Sequence, residues 1–534
     1  MQDDGRSHVR AMVPRWRSLA RTSRQELRSS RRATSLSANP SASLDKRLLA
    51  WRRDRSIVSA AEVVDAAATL GQPEAAIGPA KFLLDSGSDV AGGVLRAARR
   101  ALGQVADSTE LDLGNFGSAP DQQVQARINQ LKDRLRSDPR DALVAIEIAR
   151  LQTLSGQAKS ARRYVDLAVR LQHNNRYILR SAARYFTFVE EPDLALHVLT
   201  NSDAIRSDPW IQAAEVATSD LCGKTPKWTH KAIATFTAST KQDVASSELA
   251  LGLATLEHKA GGKRKLVRRL AENGLRNPTE NAIAQAVWLE RNAAIDVSSG
   301  VVLAERTDAT EALAMKHYED EEYLKCTQNA WRWVKDQPFS PRGYLLGACC
   351  ASIQLHDHQQ ALNFCEAGLL VHRSQPLLLN CLMFSQTYMG YIHQAEATLS
   401  RLEGFSRDPQ IGPFVDAGRG LLAYRRNDIV GGREHYLAAM KTASVNGDHS
   451  LALNALIYWL EQEVMSGSMN RDQWYFFKKS AQARIFKLSK ERRHNLQRVW
   501  NARSKHVDSL FDRPDLFAAS PAGLAPAASL ALPI

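Results

Sequence analysis

The sequence predicts an all-α chain, a right-handed α-solenoid of stacked antiparallel helical hairpins, preceded by a disordered basic arm and followed by a disordered tail. Three observations support this fold class. Alanine, leucine and arginine are abundant, whereas only 29 Gly and 19 Pro occur in 534 residues, a composition that favours helix. Apolar residues recur at i, i+3, i+4 and i+7 in segments of about 10–15 residues. Small residues recur every 34 residues, the interval between Ala149 and Ala183.

The organisation along the chain follows from where this pattern begins, pauses and ends. The first segment is rich in Arg and Ser and has no sustained apolar stripe, which is typical of a disordered arm. A stretch that lacks helical periodicity and contains Gly114, Gly117 and Pro120 predicts a loop. The predicted segments are a disordered basic arm (1–43), N-terminal helical hairpins (44–106), a loop (107–122), two blocks of helical repeats (123–300 and 301–470), basic C-terminal capping helices (471–510) and a disordered tail (511–534).

The positive charge is concentrated at the two ends of the chain. The formal net charge is +13, and residues 1–55 and 478–505 each carry a net +9. Together they carry +18, so the remainder of the chain carries −5. Basic segments of this kind suit anionic partners, including nucleic acid.

Small residues recur at an interval that predicts stacked helical hairpins. Close packing of two antiparallel helices, and of the next hairpin behind them, requires small side chains at fixed positions. The pairs separated by 34 residues are Ala149 and Ala183, Ala161 and Ala195, and Ala361 and Ala395.

These positions resemble the tetratricopeptide repeat family in degenerate form. In the segment 142–175, Ala149 stands at the eighth position, Gly156 in the turn, and Ala161 and Ala168 at the twentieth and twenty-seventh positions, where that family carries small residues. The segment from Gly420 to Ala439 fits the same template. Elsewhere Cys, Leu or Ser replaces the small residue and the spacing slips. The resemblance implies a solenoid of helical hairpins that binds other macromolecules.

The resemblance also implies a groove. In that family the first helix of each hairpin lines a concave surface, and its second, fifth, ninth and twelfth side chains face the ligand. Those positions include Arg150, Arg180 and Arg184. Since guanidinium groups bind carboxylates and phosphates, one interpretation is that this groove takes an acidic segment of a partner protein. The other is that these arginines form an ordinary solvated face.

The basic C-terminal segment has two interpretations. Its aromatic residues could dock on the last repeat and close the end of the solenoid, or they could stack on bases while its cations contact phosphates. The candidates for an anionic partner are Lys478, Lys479, Arg484, Lys487, Arg492, Arg493 and Arg498.

Motifs for catalysis, cofactors or metals are not found in the sequence. Gly261-Gly262-Lys263-Arg264 lacks the upstream Gly and the following Ser or Thr of a phosphate-binding loop, and fits a turn. His356-Asp357-His358 fits a solvated turn better than a metal site. The acidic run from His317 to Glu322 fits a helix boundary.

Six cysteines without a CxxC motif, including the adjacent Cys349 and Cys350, are typical of a reduced cytosolic core. No apolar run long enough for a membrane span occurs. We therefore expect a non-enzymatic protein–protein interaction scaffold or adaptor, without cofactor, in the cytoplasm, and the Ala, Arg and Leu bias favours a bacterial source. The alternative is a nucleic-acid-associated or regulatory protein that uses the two basic ends. A third hypothesis is an enzyme on a helical-repeat scaffold.

Overall fold

All regular structure in the described part of the chain is helical. The computed structural model describes residues 12–19, 22, 40–69, 73–87, 90, 92–102, 120–137, 139–229, 233, 244–293, 295–297 and 299–512. These ranges contain 25 α-helices and no β-strand. The predicted all-α class is therefore confirmed.

The chain divides into two units. The first unit contains everything up to Leu313 together with Lys335–Phe339, and the second contains Ala314–Val334 and the chain from Ser340 onward. The helices that begin in the first unit are α1 (Pro40–Arg53), α2 (Ile57–Thr69), α3 (Ile77–Asp85), α4 (Gly92–Ala101), α5 (Pro120–Ser137), α6 (Ala142–Leu154), α7 (Ala158–Leu171), α8 (Arg176–Phe188), α9 (Pro192–Thr200), α10 (Pro209–Leu221), α11 (Val244–Lys259), α12 (Arg264–Leu275), α13 (Glu280–Ala293), α14 (Ser299–Ala304) and α15 (Thr310–Glu319).

The second unit contains the last turns of α15 and nearly all of the helices that follow. These helices are α16 (Tyr323–Asp336), α17 (Pro341–Cys349), α18 (His358–Val371), α19 (Pro376–Tyr388), α20 (Ile392–Glu403), α21 (Gly412–Arg425), α22 (Ile429–Val445), α23 (His449–Met465), α24 (Arg471–Phe486) and α25 (Lys490–Leu510). One π-helical turn, Cys350–Gln354, directly follows α17.

Consecutive helices in each unit pack as hairpins, and the hairpins stack in series. In the first unit α6 packs on α7 and α8 on α9, while the first helices α6 and α8 also contact each other. In the second unit α19 packs on α20 and α21 on α22, and the first helices α17, α19, α21 and α23 contact one another in sequence. This order is the one that the repeat pattern predicts.

Small residues lie where the hairpins come closest. Ala149, Ala161 and Ala183 are wholly buried. A Cβ built on Gly432 would lie 2.6 Å from the ring of Tyr424, so only glycine allows α21 and α22 to approach this closely. Gly156, in the turn between α6 and α7, has φ +70°, a conformation that glycine adopts without strain. Small residues at these positions therefore allow neighbouring helices to approach closely.

Two predicted segment boundaries differ from the structure. Helix α1 begins at Pro40, inside the predicted arm, and α5 begins at Pro120, inside the predicted loop. Residues 12–19, which belong to the predicted arm, are placed by the structure, and Trp16 among them is only 1% exposed. The remaining loop residues 103–119 and the tail residues 513–534 lie outside the described residues. Among the helices that are described, none combines the length and the apolar character needed to cross a membrane.

Candidate functional site

The predicted groove residues lie on two neighbouring first helices of the first unit. Asp141 caps α6 by accepting a hydrogen bond from the Val144 N–H, and Asn175 caps α8 by accepting one from the Ile178 N–H. These caps set where each helix begins, and so which residues face the same way. On α8, Arg180 and Arg184 are four residues apart and share one face.

Each of the three predicted arginines is engaged within the chain. The Arg150 guanidinium pairs with the Glu147 carboxylate on the same helix, with Nη2 2.6 Å from Oε1. The Arg180 Nη2 lies 2.8 Å from Glu248 Oε2, and both side chains are about 5% exposed. Arg180 also lies over the ring of Trp210, 4.5 Å from its centroid.

Arg184 is half-buried and donates from Nη2 to the Phe339 carbonyl oxygen. Burial lowers the pKa of Arg184 to about 10, although the nearby Glu311 carboxylate opposes this effect. Arg150, Arg180 and Arg184 therefore do not present open donors to an acidic segment. That these arginines bind an acidic segment of a partner stays a prediction.

The surface around α8 is occupied by the chain's own N-terminal segment, defined here as residues 12–19. Residues 12–18 are non-helical, and Met12 packs into the hydrophobic core of α10, α11 and α13. The indole of Trp16 stacks on Phe339, with centroids 4.9 Å apart, and meets Tyr185 edge-on at 6.2 Å. This segment binds its own unit in the way that a peptide ligand binds a receptor.

Two arginines flank Trp16, and both point at carboxylates. Arg15 Nη1 lies 2.7 Å from Glu280 Oε2 and 3.2 Å from Asp336 Oδ2. Its Nη2 lies 3.7 Å from Glu311 Oε2. Arg17 donates from Nε to Asp336 Oδ1 at 2.7 Å and from Nη2 to Asp336 Oδ2 at 2.9 Å, the bidentate geometry of strong ion pairs. Arg17 also pairs with Glu280.

The surroundings of these ion pairs are nearly dry. The side chains of Arg15, Arg17, Glu280 and Asp336 are between 6% and 16% exposed. Burial alone would lower the pKa of Arg17, but the Asp336 and Glu280 carboxylates outweigh burial and raise it. Tyr177 of α8 donates from its hydroxyl to the Arg17 carbonyl oxygen at 2.8 Å, which anchors the backbone of the segment.

The residues in contact with the N-terminal segment form what we call the Trp16 groove. They come from α8, from the first turns of α13 and α15, from the last residue of α16 and from the loop after α16. The groove residues are Tyr177, Tyr185, Glu280, Glu311, Asp336 and Phe339. Beside them, Arg180 lines the same cavity as Arg15 and Arg17, and Arg184 contacts Phe339.

One signal in the sequence could have revealed the segment. Met12, Val13 and Trp16 interrupt an otherwise polar arm, and an apolar cluster with a tryptophan needs somewhere to be buried. Val13 precedes Pro14, which restricts Val13 to extended conformations suited to lying along a groove. Because arginines surround Met12, Val13 and Trp16, the segment has the composition of a polar arm.

The basic C-terminal segment is used mainly for packing. Lys478 Nζ lies 2.6 Å from Asp508 Oδ2, so it joins α24 to α25. Arg498 is 4% exposed and donates from Nη2 to the Glu319 carbonyl oxygen at 2.9 Å. Arg503, which the sequence analysis did not single out, is also buried. Lys478 and Arg498 thus take part in packing within the second unit.

The remaining cations of this segment have different surroundings. Lys479 is exposed on α24, Lys487 is exposed directly after this helix, and Arg484 is half-buried on it. Tyr475, Phe476 and Phe486 on the same helix are 48%, 71% and 55% exposed, whereas Trp474 is buried. Arg492 and Arg493 belong to α25, but their side chains lie outside the described residues.

A buried polar cluster surrounds Arg503 in the second unit. The Arg503 side chain is 1% exposed; its Nη1 lies 3.3 Å from Glu461 Oε1 and its Nη2 donates to the Ser352 carbonyl oxygen at 3.2 Å. Tyr388 donates from its hydroxyl to the same Glu461 oxygen at 3.0 Å. The guanidinium also lies over the Tyr458 ring, 5.0 Å from its centroid. Helix α25 is therefore fastened to the π-helical turn, α19 and α23.

The histidines of the predicted solvated turn belong to this cluster. His356 stacks on His506 of α25, with centroids 4.6 Å apart, and His358 stacks on Tyr388 at 4.7 Å. Asp357 caps α18 by accepting a hydrogen bond from the Gln360 N–H. Both imidazoles are partly buried, which corrects the expectation that they are solvated. Within the described residues, no group of three or more His, Cys, Asp or Glu side chains is placed to hold a metal ion.

The other motifs set aside from the sequence lie in structural positions. Gly261 has φ +69° and forms the turn before α12. His317 and Glu322 pair across the boundary between α15 and α16, with Nδ1 2.6 Å from Oε2. Cys350 is wholly buried, and Cys349 Sγ lies 3.6 Å from Cys381 Sγ, too far for a disulfide.

Comparisons with known proteins leave the family open. No family model and no curated protein matches the chain. Among solved structures, the chain is similar to the human IFIT1 dimer with PPP-AAAA, at 14% identity over 73% of this chain and 94% of that chain, with a TM-score of 0.34.

Two further solved structures align with the chain. The human IFIT1 dimer with m7Gppp-AAAA aligns at 13% identity over 73% of this chain and 95% of that chain, with a TM-score of 0.34. Naa15/Naa10 bound to HypK-THB aligns at 9% identity over 90% of this chain and 81% of that chain, with a TM-score of 0.23. Since these TM-scores are below 0.5, the fold class rests on the helix packing described above.

Proposed function

We propose that this chain is a non-enzymatic binding scaffold of helical hairpins that holds a non-helical peptide segment of a partner protein in the Trp16 groove. The observation that carries the proposal is the N-terminal segment itself. It supplies a buried aromatic anchor, two ion-paired arginines and a hydrogen-bonded carbonyl group, which are the contacts by which peptide ligands are held.

The energetic case rests on Trp16. Its indole is 1% exposed, and a tryptophan that buries most of its surface contributes on the order of several kcal/mol to binding or folding. The ion pairs of Arg15 and Arg17 lie in a nearly dry environment, where electrostatic interactions are stronger than in water. Such a combination supplies affinity through the aromatic group and orientation through the charges.

Peptide binding in trans tests the proposal. The full chain carrying Arg15→Ala, Trp16→Ala and Arg17→Ala, called the open variant, is titrated against a fluorescent peptide of residues Met12–Leu19, and anisotropy is measured. We expect saturable binding that is lost when Glu280→Lys and Asp336→Lys are added. Glu272→Lys with Glu305→Lys, which change exposed acids of the same unit, form the matched control and should leave binding intact. A folded open variant that binds no peptide would disprove the proposal.

A second candidate function is binding of single-stranded nucleic acid by the outer face of α24. Phe476, Lys479 and Phe486 lie on one face of α24, at intervals of three and seven residues, and Lys487 directly follows the helix. All four side chains are exposed. Aromatic rings stack on bases of any sequence, and lysines neutralise phosphates. Deleting α24 and α25 would not be a clean test, because Arg498 and Arg503 of α25 are packing residues.

Point substitutions give a cleaner test of this second function. The chain carrying Phe476→Ala, Lys479→Glu and Lys487→Glu is compared with the unsubstituted chain in a mobility-shift titration against a 20-nucleotide single strand. We expect at least tenfold weaker binding, and for the unsubstituted chain a steep loss of affinity between about 50 and 200 mM salt. Lys81→Glu with Lys159→Glu, at two other exposed lysines, is the charge-matched control. Equal binding by both variants would exclude α24 as the contact.

A further inference from the structure

The Trp16 groove contains an aromatic slot that fits a flat ring. Phe339 lies against one side of the Trp16 indole and Tyr185 presents its ring edge-on. Both slot residues are at most 3% exposed. Among the described residues, none accepts a hydrogen bond from the indole N–H of Trp16. The slot therefore recognises an aromatic surface and not a polar group of the ring.

Beside the slot, two acids require cations. Glu280 and Asp336 both contact Arg15 and Arg17, so the two carboxylates lie close to each other in a nearly dry site. Burial raises the pKa of Glu280; the two arginines lower it and the Asp336 carboxylate raises it further. Two acids at this distance from bulk water are costly to leave without positive charge. The site thus selects an occupant with a cation on each side of its aromatic residue.

The described contacts of the segment are mainly those of side chains. Its backbone is held to the groove through the Tyr177 hydroxyl, and its side-chain contacts to the groove come from Arg15, Trp16 and Arg17. Met12 packs into the neighbouring core of α10, α11 and α13. A segment held in this way can be replaced by any other chain that presents the same side chains. Because the N-terminal segment is covalently attached, its effective concentration is on the order of millimolar, and it competes strongly with partners.

We infer that residues Arg15-Trp16-Arg17 are an internal copy of the motif that this groove recognises, so that a partner presents arginine–aromatic–arginine in a non-helical segment and must displace the N-terminal segment to bind. This inference rests on the proposed function and names the chemistry of its ligand. The groove is then self-occupied until a partner with the same motif, at sufficient local concentration, replaces the segment.

The recognition chemistry is tested with a panel of fluorescent peptides on the open variant. The panel contains the Met12–Leu19 sequence and versions in which both arginines become lysine, both become glutamate, the tryptophan becomes phenylalanine, or the tryptophan becomes alanine. We expect phenylalanine to be tolerated within a few-fold. Lysine should weaken binding about tenfold because it cannot form the bidentate pair with Asp336. Glutamate or alanine should abolish measurable binding.

The competition is tested by comparing the unsubstituted chain with the open variant. We expect the unsubstituted chain to bind the Met12–Leu19 peptide at least tenfold more weakly. A second variant, Arg15→Gln with Arg17→Gln, keeps Trp16 in place and should show intermediate affinity, which guards against a folding defect in the open variant. Circular dichroism confirms that both variants remain helical.

The outcomes separate the two proposals. If the open variant binds the glutamate version as tightly as the Met12–Leu19 peptide, the proposed recognition chemistry is wrong. The groove would still be a binding site. Equal affinity of the peptide for the unsubstituted chain and for the open variant overturns the competition. Absence of binding to both folded variants removes the proposed function itself.

Discussion

Arg180 and Glu248 form an ion pair in which neither side chain is more than about 6% exposed. Burial would raise the pKa of Glu248, but the Arg180 and Arg15 guanidinium groups outweigh burial and lower it. A second carboxylate oxygen of Glu248 accepts a hydrogen bond from the Thr279 hydroxyl at 3.1 Å. The Glu248 carboxylate is thus paired within the chain, and the cost of breaking such a pair depends on the partner left behind.

Removing one member of this pair should be more damaging than removing both. We expect Arg180→Met to lower the free energy of unfolding by about 3 kcal/mol, since it leaves Glu248 buried without its cation. The double substitution Arg180→Met with Glu248→Met should recover most of this loss. Urea unfolding monitored by circular dichroism measures both. If the double variant is as unstable as the single one, the pair is not the source of the cost.

Close packing at a glycine supplies a second residue-scale prediction. A Cβ on Gly347 would lie 2.4 Å from ring atoms of Phe364, which itself stacks on Trp331 with centroids 3.9 Å apart. Gly347→Ala should therefore cost about 1–3 kcal/mol, because the aromatic stack has to shift. Gly300→Ala is the matched control, since no atom lies within 4 Å of its added Cβ and helical alanine is favourable. Thermal unfolding should show loss for the first variant and no loss for the second.

At the scale of elements, α25 performs more than the predicted capping of the last hairpin. It packs on α23 and α24, and Arg503 reaches the Ser352 carbonyl oxygen. Arg498 reaches the Glu319 carbonyl oxygen at the end of α15. These contacts span 151 and 179 residues of sequence, so the C-terminal helix ties together first helices of several hairpins.

The histidines around Arg503 make this attachment sensitive to pH. Burial, followed by the positive charge of Arg503, lowers the pKa of His356 to about 3 and that of His358 to about 4. Burial also lowers the pKa of His506, although the Glu461 carboxylate opposes this shift. The other charged groups that act on the cluster are Asp357, which raises the pKa of His358, and Arg425, which lowers it.

The sign of the effect follows from these pKa values. Folded values below the ordinary 6.5 mean that the stabilisation is complete above about pH 6.5 and is lost as pH falls toward the folded values. We expect the thermal midpoint to fall between pH 7 and pH 5, with a loss of up to about 1.4 kcal/mol per histidine and pH unit. His356→Gln with His358→Gln should flatten this dependence. His393→Gln, at a fully exposed side chain, is the control and should leave it unchanged.

At the scale of the whole molecule, the N-terminal segment belongs to the first unit as part of its core. Met12 packs among buried residues of α10, α11 and α13, and Trp16 is covered by Tyr185 and Phe339. The segment thus connects parts of the first unit that lie far apart in sequence. We therefore expect removal of the Trp16 side chain to destabilise the first unit and not the second.

Hydrogen exchange can test this localisation. Trp16→Ala should cost about 3 kcal/mol and increase amide exchange in α8 and α13, because the anchor covers these helices. Exchange in α19 to α23 should not change. Phe476→Ala, at a side chain that is 71% exposed, is the control and should alter neither region. Uniform loss of protection across both units would contradict the assignment of the segment to the first unit.

The sequence by itself determined the helical class, the hairpin order and the face on which Arg180 and Arg184 lie, because these features depend on helical periodicity and on small residues at short, regular intervals. It did not reveal what covers that face, since Arg15 and Asp336 are 321 residues apart and no local pattern records their contact. Only the tertiary structure decided that the groove is filled by a basic segment and carries the acids that hold it. It also decided that Arg498 is buried and that Lys479 is exposed. The physical reason is that the spacing of side chains along a helix determines how it packs on its neighbours. What binds to a surface depends instead on the charge and shape of residues that are far apart in the sequence.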